Sequence, residues 1–286
     1  MDYLGNVNVS RGGGHDPVAA ISEAEATGET AAIFADIRRT MRIPMITSIW
    51  RTLVDIEGGL SATWEVTKPL YETGQPAAAL MKLRAQAVLP VPEPLAPGQL
   101  SCAGVREEEL PVILALIEAY NRSNGMNLMA LTGLVVTPSG APSNAPVPPD
   151  PPPWPELPPL PAPADIPADI WTLLRHINRF GAVPGEEGLA TIWRHMAHWP
   201  GLLAVIYAGL APLQRDGTIQ RSKQQILEIA QAEGKRLAHL RPEIVPLPEV
   251  ACQMITNYVL DPGLVARMVT IGHGLARWLQ PPNEQA

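Results

Sequence analysis

The chain has 286 residues, 46% hydrophobic and 17% charged, which is enough apolar material for a full-sized core in one or two domains. A net charge of −7 favours solubility and argues against nucleic acid or an anionic membrane as partner, and the longest apolar run, 201–213, falls short of the roughly 20 residues a bilayer span needs. The start, Met1-Asp2-Tyr3-Leu4, has no basic-then-apolar pattern and the only cysteines, Cys102 and Cys252, form no CxxC pair, so the expectation is a cytoplasmic protein with no signal peptide, metal or cofactor.

In chain order, residues 1–28 read as a flexible tail, whose Gly12-Gly13-Gly14 lacks the lysine and preceding strand of a phosphate loop. Residues 29–41 place Ala32, Ile33, Ile37 and Met41 on one side and Asp36, Arg38 and Arg39 on the other, predicting an amphipathic helix ended by Pro44. A short helix over 50–56 is stopped by Gly58-Gly59. Helices over 60–71 and 76–89 follow, the second bounded by Pro90-Val91-Pro92. Two more, 107–121 and 126–136, complete the first half. About half of residues 137–167 are proline, including Pro148-Pro149-Asp150-Pro151-Pro152-Pro153, which forbids a helix or central strand and predicts an extended spacer. Beyond it, helices are expected to start near Asp169, Ala190, Leu202, Ser222, Pro248 and Gly263, and 280–286 form a tail. No stretch alternates with the period of a strand.

The two halves resemble each other. With residues 48–74 set against 191–217, eight of 27 positions are identical, among them Trp50/Trp193, Arg51/Arg194, Pro69/Pro212 and Gly74/Gly217; chance would give about two. Ile33-Phe34 matches Ile170-Trp171, and Tyr120…Gly125 matches Tyr258…Gly263. The expected architecture is all-α: tandem helical repeats over 29–136 and 169–279, joined by a proline-rich linker over 137–168. Their apolar faces are expected to pack as an intramolecular pseudo-dimer with a cleft between the copies.

Several motifs carry a resemblance. Asp36-Ile37-Arg38-Arg39-Thr40-Met41-Arg42-Ile43-Pro44, Ala119-Tyr120-Asn121-Arg122-Ser123-Asn124 and Trp199-Pro200 with Leu210-Ala211-Pro212 together resemble the group I haloacid dehalogenases, which act on both enantiomers of 2-haloacids. The likeness is colinear over about 29–275. The alkylhydroperoxidase and carboxymuconolactone decarboxylase group is a wider cousin, but its CxxC is absent here.

The resemblance implies hydrolysis without a covalent ester: an aspartate and an asparagine hold a water, which displaces halide from C2 as the aspartate takes its proton. The asparagine corresponds to Asn124, with Asn121 beside it. A family threonine falls on Thr73 and a tyrosine on Tyr258. The Ser-Asp-aromatic triple falls on Thr191-Ile192-Trp193, which puts Ile192 where the base belongs. A family glutamate falls on Ala77, and two aromatic pocket positions fall on Met45 and Ser48. Glu187, with Glu186, and Asp261 are the carboxylates available to replace the base; equally, the glutamates suit a solvated loop and Asp261 a helix cap.

Three pairs have both a functional and a structural reading. His195 and His198 have metal-ligand spacing but no third ligand, so packing is the simpler role. Trp50 and Trp193 suit paired core anchors better than a substrate cage. Arg51 and Arg194 suit either a bidentate carboxylate grip or ties to carbonyls and to Asp55. The expected function is a dehalogenase-like enzyme acting on a small organic carboxylate, with a possible homodimer. The alternatives are a ligand-binding descendant without the base, or a biosynthetic enzyme with non-hydrolytic chemistry in the same cleft.

Overall fold

The structure is a computed structural model that describes residues 21–183, 188–242, 246–260 and 263–280, and all regular structure among them is helical. The first helices are α1 (Gly28–Met41), α2 (Ser48–Thr52), α3 (Gly59–Glu72), α4 (Gln75–Gln86), α5 (Gln99–Cys102) and α6 (Leu110–Val135). After the proline-rich stretch come α7 (Ala168–Ile177), α8 (Thr191–His195), α9 (Pro200–Arg215), α10 (Thr218–Leu237), α11 (Glu249–Val259) and α12 (Leu264–Leu279). None of the described helices is long and apolar enough to cross a membrane.

Local chemistry explains most boundaries. Phe34, Ile37 and Met41 form the buried stripe of α1. That helix ends as Arg42 turns left-handed (φ 53°) and the Ile43 N–H closes on the Arg38 carbonyl at 3.1 Å. Gly74 and Gly217, at φ 70° and 77°, make the equivalent sharp turns from α3 to α4 and from α9 to α10, a backbone conformation that only glycine adopts without strain. Helix α4 stops at Gln86 and not at Leu89, because the chain turns extended at Ala87 ahead of Leu89-Pro90.

The break expected between Asn121 and Met126 is absent, and α6 runs unbroken for 26 residues. Gly125 is not a turn residue here. A Cβ at that position would lie 2.4 Å from Leu80 Cδ1, so the glycine permits close approach of α4.

Helices α1 and α3 pack together, as do α7 and α9, while α6 lies against α4, α10, α11 and α12 at the centre. Helices α6 and α12 run antiparallel. Ile113, Leu116 and Ile117 share an apolar cluster with Leu275, Leu279 and Trp193, and Leu128, Met129 and Leu131 share the other cluster with Val265, Val269 and Trp50. At the crossing, Asn121 Nδ2 donates to the Gly272 carbonyl at 3.0 Å. The proline-rich stretch joins the second cluster, burying Ile166 in it and packing Leu157 against it. Gln75 clasps its start, donating to the Ala145 carbonyl at 2.9 Å and accepting from Ser143 Oγ at 2.8 Å.

Candidate active site

A cavity of about 220 Å³ opens where α2, α6, α8, α11 and α12 meet, drawing its walls from both sides of the proline-rich stretch. Helix α6 contributes Tyr120 and Asn124, spaced four apart on one face. Helix α11 adds Met254 and Tyr258 at the same spacing. The start of α2 supplies Thr47, Ser48 and Ile49, α8 supplies Thr191 and Ile192, and Arg267 and Met268 come from α12. Asn124, Tyr258, Ser48, Thr191 and Ile192 therefore share one cavity.

The polar atoms of the cavity are oriented by a buried network. Asn127, fully buried, accepts from Trp50 Nε1 at 3.2 Å and from Tyr71 Oη at 2.9 Å, and donates to Thr47 Oγ1 at 3.0 Å. Thr47 in turn meets Ser123 Oγ at 3.1 Å. Tyr258 Oη donates to Asn124 Oδ1 at a long 3.5 Å, which leaves the Asn124 amide nitrogen free of that bond. Burial pushes the Tyr258 phenol above its ordinary value, so it remains a protonated donor near neutral pH. Thr191 Oγ1 is buried at the cavity wall without a hydrogen-bond partner. Among the described lining residues there is no Asp, Glu, His or Cys, and the one cation is Arg267, which donates to the Asn178 carbonyl.

Other residues carried over from the sequence sit elsewhere. Asn121 spends its amide on the helix crossing. Thr73 Oγ1 donates to the Leu70 carbonyl at 2.6 Å and accepts from the Gln75 N–H at 3.1 Å, which fixes the α3–α4 junction. Met45 lines a separate groove. Glu186, Glu187 and Asp261 lie outside the described residues. His195 donates through Nε2 to the Pro158 carbonyl at 2.6 Å, so its Nδ1 accepts from Tyr120 Oη at 3.2 Å, and His198 Nε2 reaches the Pro159 carbonyl at 2.8 Å. Burial holds His195 below the ordinary histidine value. Among the described residues no group of three His, Cys, Asp or Glu is placed to hold a metal.

The sequence reading passed over Asn127 and Thr47, and named Tyr120 only as part of motifs and not as a site residue. Their signal was the Tyr120, Asn124, Asn127 spacing, a polar stripe along an otherwise apolar helix.

The all-helical fold is that of the solved D-2-haloacid dehalogenases. A solved D-2-haloacid dehalogenase mutant in complex with D-2-CPA superposes with a TM-score of 0.70 over 91% of this chain and 95% of its own, at 17% identity. D-2-haloacid dehalogenase with L-LA gives the same TM-score and identity over 91% and 96%. In sequence, the configuration-inverting 2-haloacid dehalogenase of Pseudomonas sp. (strain 113) is 26% identical over 113 residues, 39% of this chain and 37% of that protein. Its counterpart from Alcaligenes xylosoxydans xylosoxydans is 27% identical over 115 residues, 40% and 39%. The chain thus matches about two fifths of the length of these curated relatives. No family model matches the chain. The chain is a distant relative of the 2-haloacid dehalogenases.

Proposed function

We propose that the chain is a haloacid-dehalogenase-like enzyme that works on a small organic carboxylate in this cavity, by water activation but not as a standard 2-haloacid dehalogenase. The observation that carries the reading is the convergence of Asn124, Tyr258, Ser48 and Thr191 on one cavity with Ile192 among them. Water held by the Asn124 amide attacks the substrate carbon; the water oxygen forms the new bond, the leaving group departs with its electron pair, and a base takes the proton. Ile192 cannot be that base. Glu187, adjacent in sequence to the lining residue Gly188, and Asp261, three residues before Leu264, are the carboxylates offered for it.

The same reading includes an internal duplication with a pseudo-twofold through the cavity. In its support, Ser48 and Thr191, and Ile49 and Ile192, are equivalent pairs and all four line the space. A second reading, a ligand-binding descendant without turnover, is favoured by the lack of a carboxylate among the described lining residues.

The test combines halide release, ligand binding and melting. With 2-chloropropionate of either hand, no halide should appear above the uncatalysed rate, while longer haloacids should bind. Asn124→Ala should remove that binding and any turnover with little change in melting temperature. Halide release from the longer acids, lost in Glu187→Gln or Asp261→Asn, supports the enzyme; binding without release supports the second reading. If Asn124→Ala keeps function and costs 1 kcal/mol or more, about the value of a structural hydrogen bond, the site assignment fails.

A further inference from the structure

Beside the cavity lies a larger groove of about 1350 Å³, and Arg51 lines it. Arg51 is 4% exposed, its Nε is buried with no hydrogen-bond partner, and none of the ion pairs among the described residues includes it. No acid at the groove forms an ion pair with Arg51, although Glu25 is near enough for the arginine's charge to help lower its pKa, after its hydrogen bonds to Ser22. Glu23 pairs with Arg38 and accepts the Ile46 N–H at 2.7 Å, Glu25 is held by the Ser22 hydroxyl and N–H at 2.6 and 2.9 Å, and Asp55 forms no pair with Arg51. A buried guanidinium nitrogen with no hydrogen-bond partner and no ion pair is costly, and a ligand carboxylate in the groove would supply both. Arg194, equivalent to Arg51 in the other half of the sequence, uses its Nε on the Pro161 carbonyl at 2.8 Å, so the two arginines do different work.

The groove and the cavity share a wall made by Tyr120 and Thr191, and Thr191 Oγ1 is the buried hydroxyl without a partner. Asn124 lines the cavity and not the groove; Arg51 lines the groove and not the cavity. Building on the carboxylate reading above, we propose that Arg51 anchors the substrate's carboxylate in the groove while the rest of the molecule passes Thr191 and Tyr120 into the cavity. The reacting carbon beside Asn124 is then several bonds from the carboxyl, and not its neighbour as in a 2-haloacid. A planar guanidinium matches a carboxylate in bidentate fashion, and the acidic rim of Glu23, Glu25 and Asp55 disfavours a doubly charged phosphate against a singly charged acid.

Titration calorimetry with unreactive probes tests this without turnover. Hexanoate should bind at least about tenfold tighter than propionate or hexanamide, the discrimination expected of a charge-assisted pair. Arg51→Met should erase the preference of acid over amide while leaving hexanamide affinity unchanged, and its melting temperature should hold or rise because a buried charge is gone. Equal hexanoate binding by wild type and Arg51→Met, no preference for acid over amide, or displacement of hexanoate by inorganic phosphate at equal concentration would overturn the proposal. Should Arg51→Met not fold, a crystal structure of the wild-type chain with 6-bromohexanoate decides: carboxylate oxygens about 3 Å from the Arg51 nitrogens uphold it, and a carboxylate beside Asn124 refutes it. The two proposals fail separately, this one by indifference to Arg51 and the cavity assignment by indifference to Asn124.

Discussion

Arg84 Nε donates to His273 Nε2 at 2.8 Å, tying α4 to α12 across the two halves of the sequence. The same guanidinium reaches Glu118 Oε1 on α6 at 2.8 Å. His273 Nδ1 lies 2.7 Å from the Val269 carbonyl, which can only accept, so the proton sits on Nδ1 and the Nε2 lone pair faces the arginine. A protonated ring has no lone pair for Arg84. Burial, with the arginine's charge second, depresses the His273 pKa from 6.5 to about 3.

Stability should therefore depend on this ring under mild acid. Between pH 6.5 and about 3 the unfolded chain binds a proton at His273 that the folded chain refuses, so stability is fully present above 6.5 and drains as pH falls through that window. At pH 5 the loss is about 2 kcal/mol, from roughly 1.4 kcal/mol per unit. His273→Gln keeps an acceptor for Arg84 and cannot titrate. Urea unfolding at pH 7 and pH 5 should show the variant losing about 2 kcal/mol less than the wild type. His195, depressed in the same direction, titrates in both proteins and cancels from the comparison. Equal losses would mean that His273 is protonated in the folded state.

The α6–α12 crossing gives a second prediction. A Cβ on Gly272 would lie 2.1 Å from Asn121 Oδ1, so Gly272→Ala must push the helices apart or expel the amide. Overpacking of this kind costs about 1–3 kcal/mol or more. Asn121→Ala alone loses the bond to the Gly272 carbonyl, worth roughly 1 kcal/mol. Because the amide is the obstruction, the double variant should be little worse than Asn121→Ala, a coupling of about 1 kcal/mol or more. Additive losses in thermal or urea unfolding would place the conflict elsewhere.

These residues also show where sequence reading succeeds and where it stops. Ile37 and Met41 of the α1 stripe and the end of that helix after Met41 were legible. Ala32, however, is exposed, Phe34 is buried in its place, and left-handed Arg42 rather than Pro44 makes the stop. Gly125 and Gly263 occupy matched positions, yet only Gly263 turns left-handed, at φ 67°. Pro262 precedes Gly263 in sequence, whereas nothing before Gly125 interrupts a helix and the glycine serves a contact with Leu80 on α4. Asn124, Tyr258 and Thr191 were within reach of motif comparison. Thr73 was misleading because its hydroxyl is consumed by a junction whose position depends on where α3 ends. Asn127 was passed over because its partners, Trp50, Tyr71 and Thr47, lie 56 to 80 residues away in sequence.

The last prediction concerns Ile192, which is 2% exposed and lines the cavity that holds Asn124. Ile192→Asp would set a carboxylate where the dehalogenase pattern has its base, next to an amide already oriented by Tyr258. With 2-chloropropionate, a water oxygen would bond to C2, the C2–Cl pair would leave with chloride, and the new carboxylate would take the proton. Burial raises the pKa of such a group, so release should climb with pH as it ionises. An added general base is worth about 100-fold or more when well placed, and the chloride rate should rise from background to a measurable fraction of that. Ile192→Asn is the control. It brings the same polarity and size and a similar cost to the core, but it accepts no proton, so it should stay at background. If the folded Ile192→Asp protein releases no more chloride than Ile192→Asn at any pH from 6 to about 9, the range in which a buried carboxylate ionises, then Ile192 does not stand opposite the Asn124 water and the correspondence with the dehalogenase site fails at its centre.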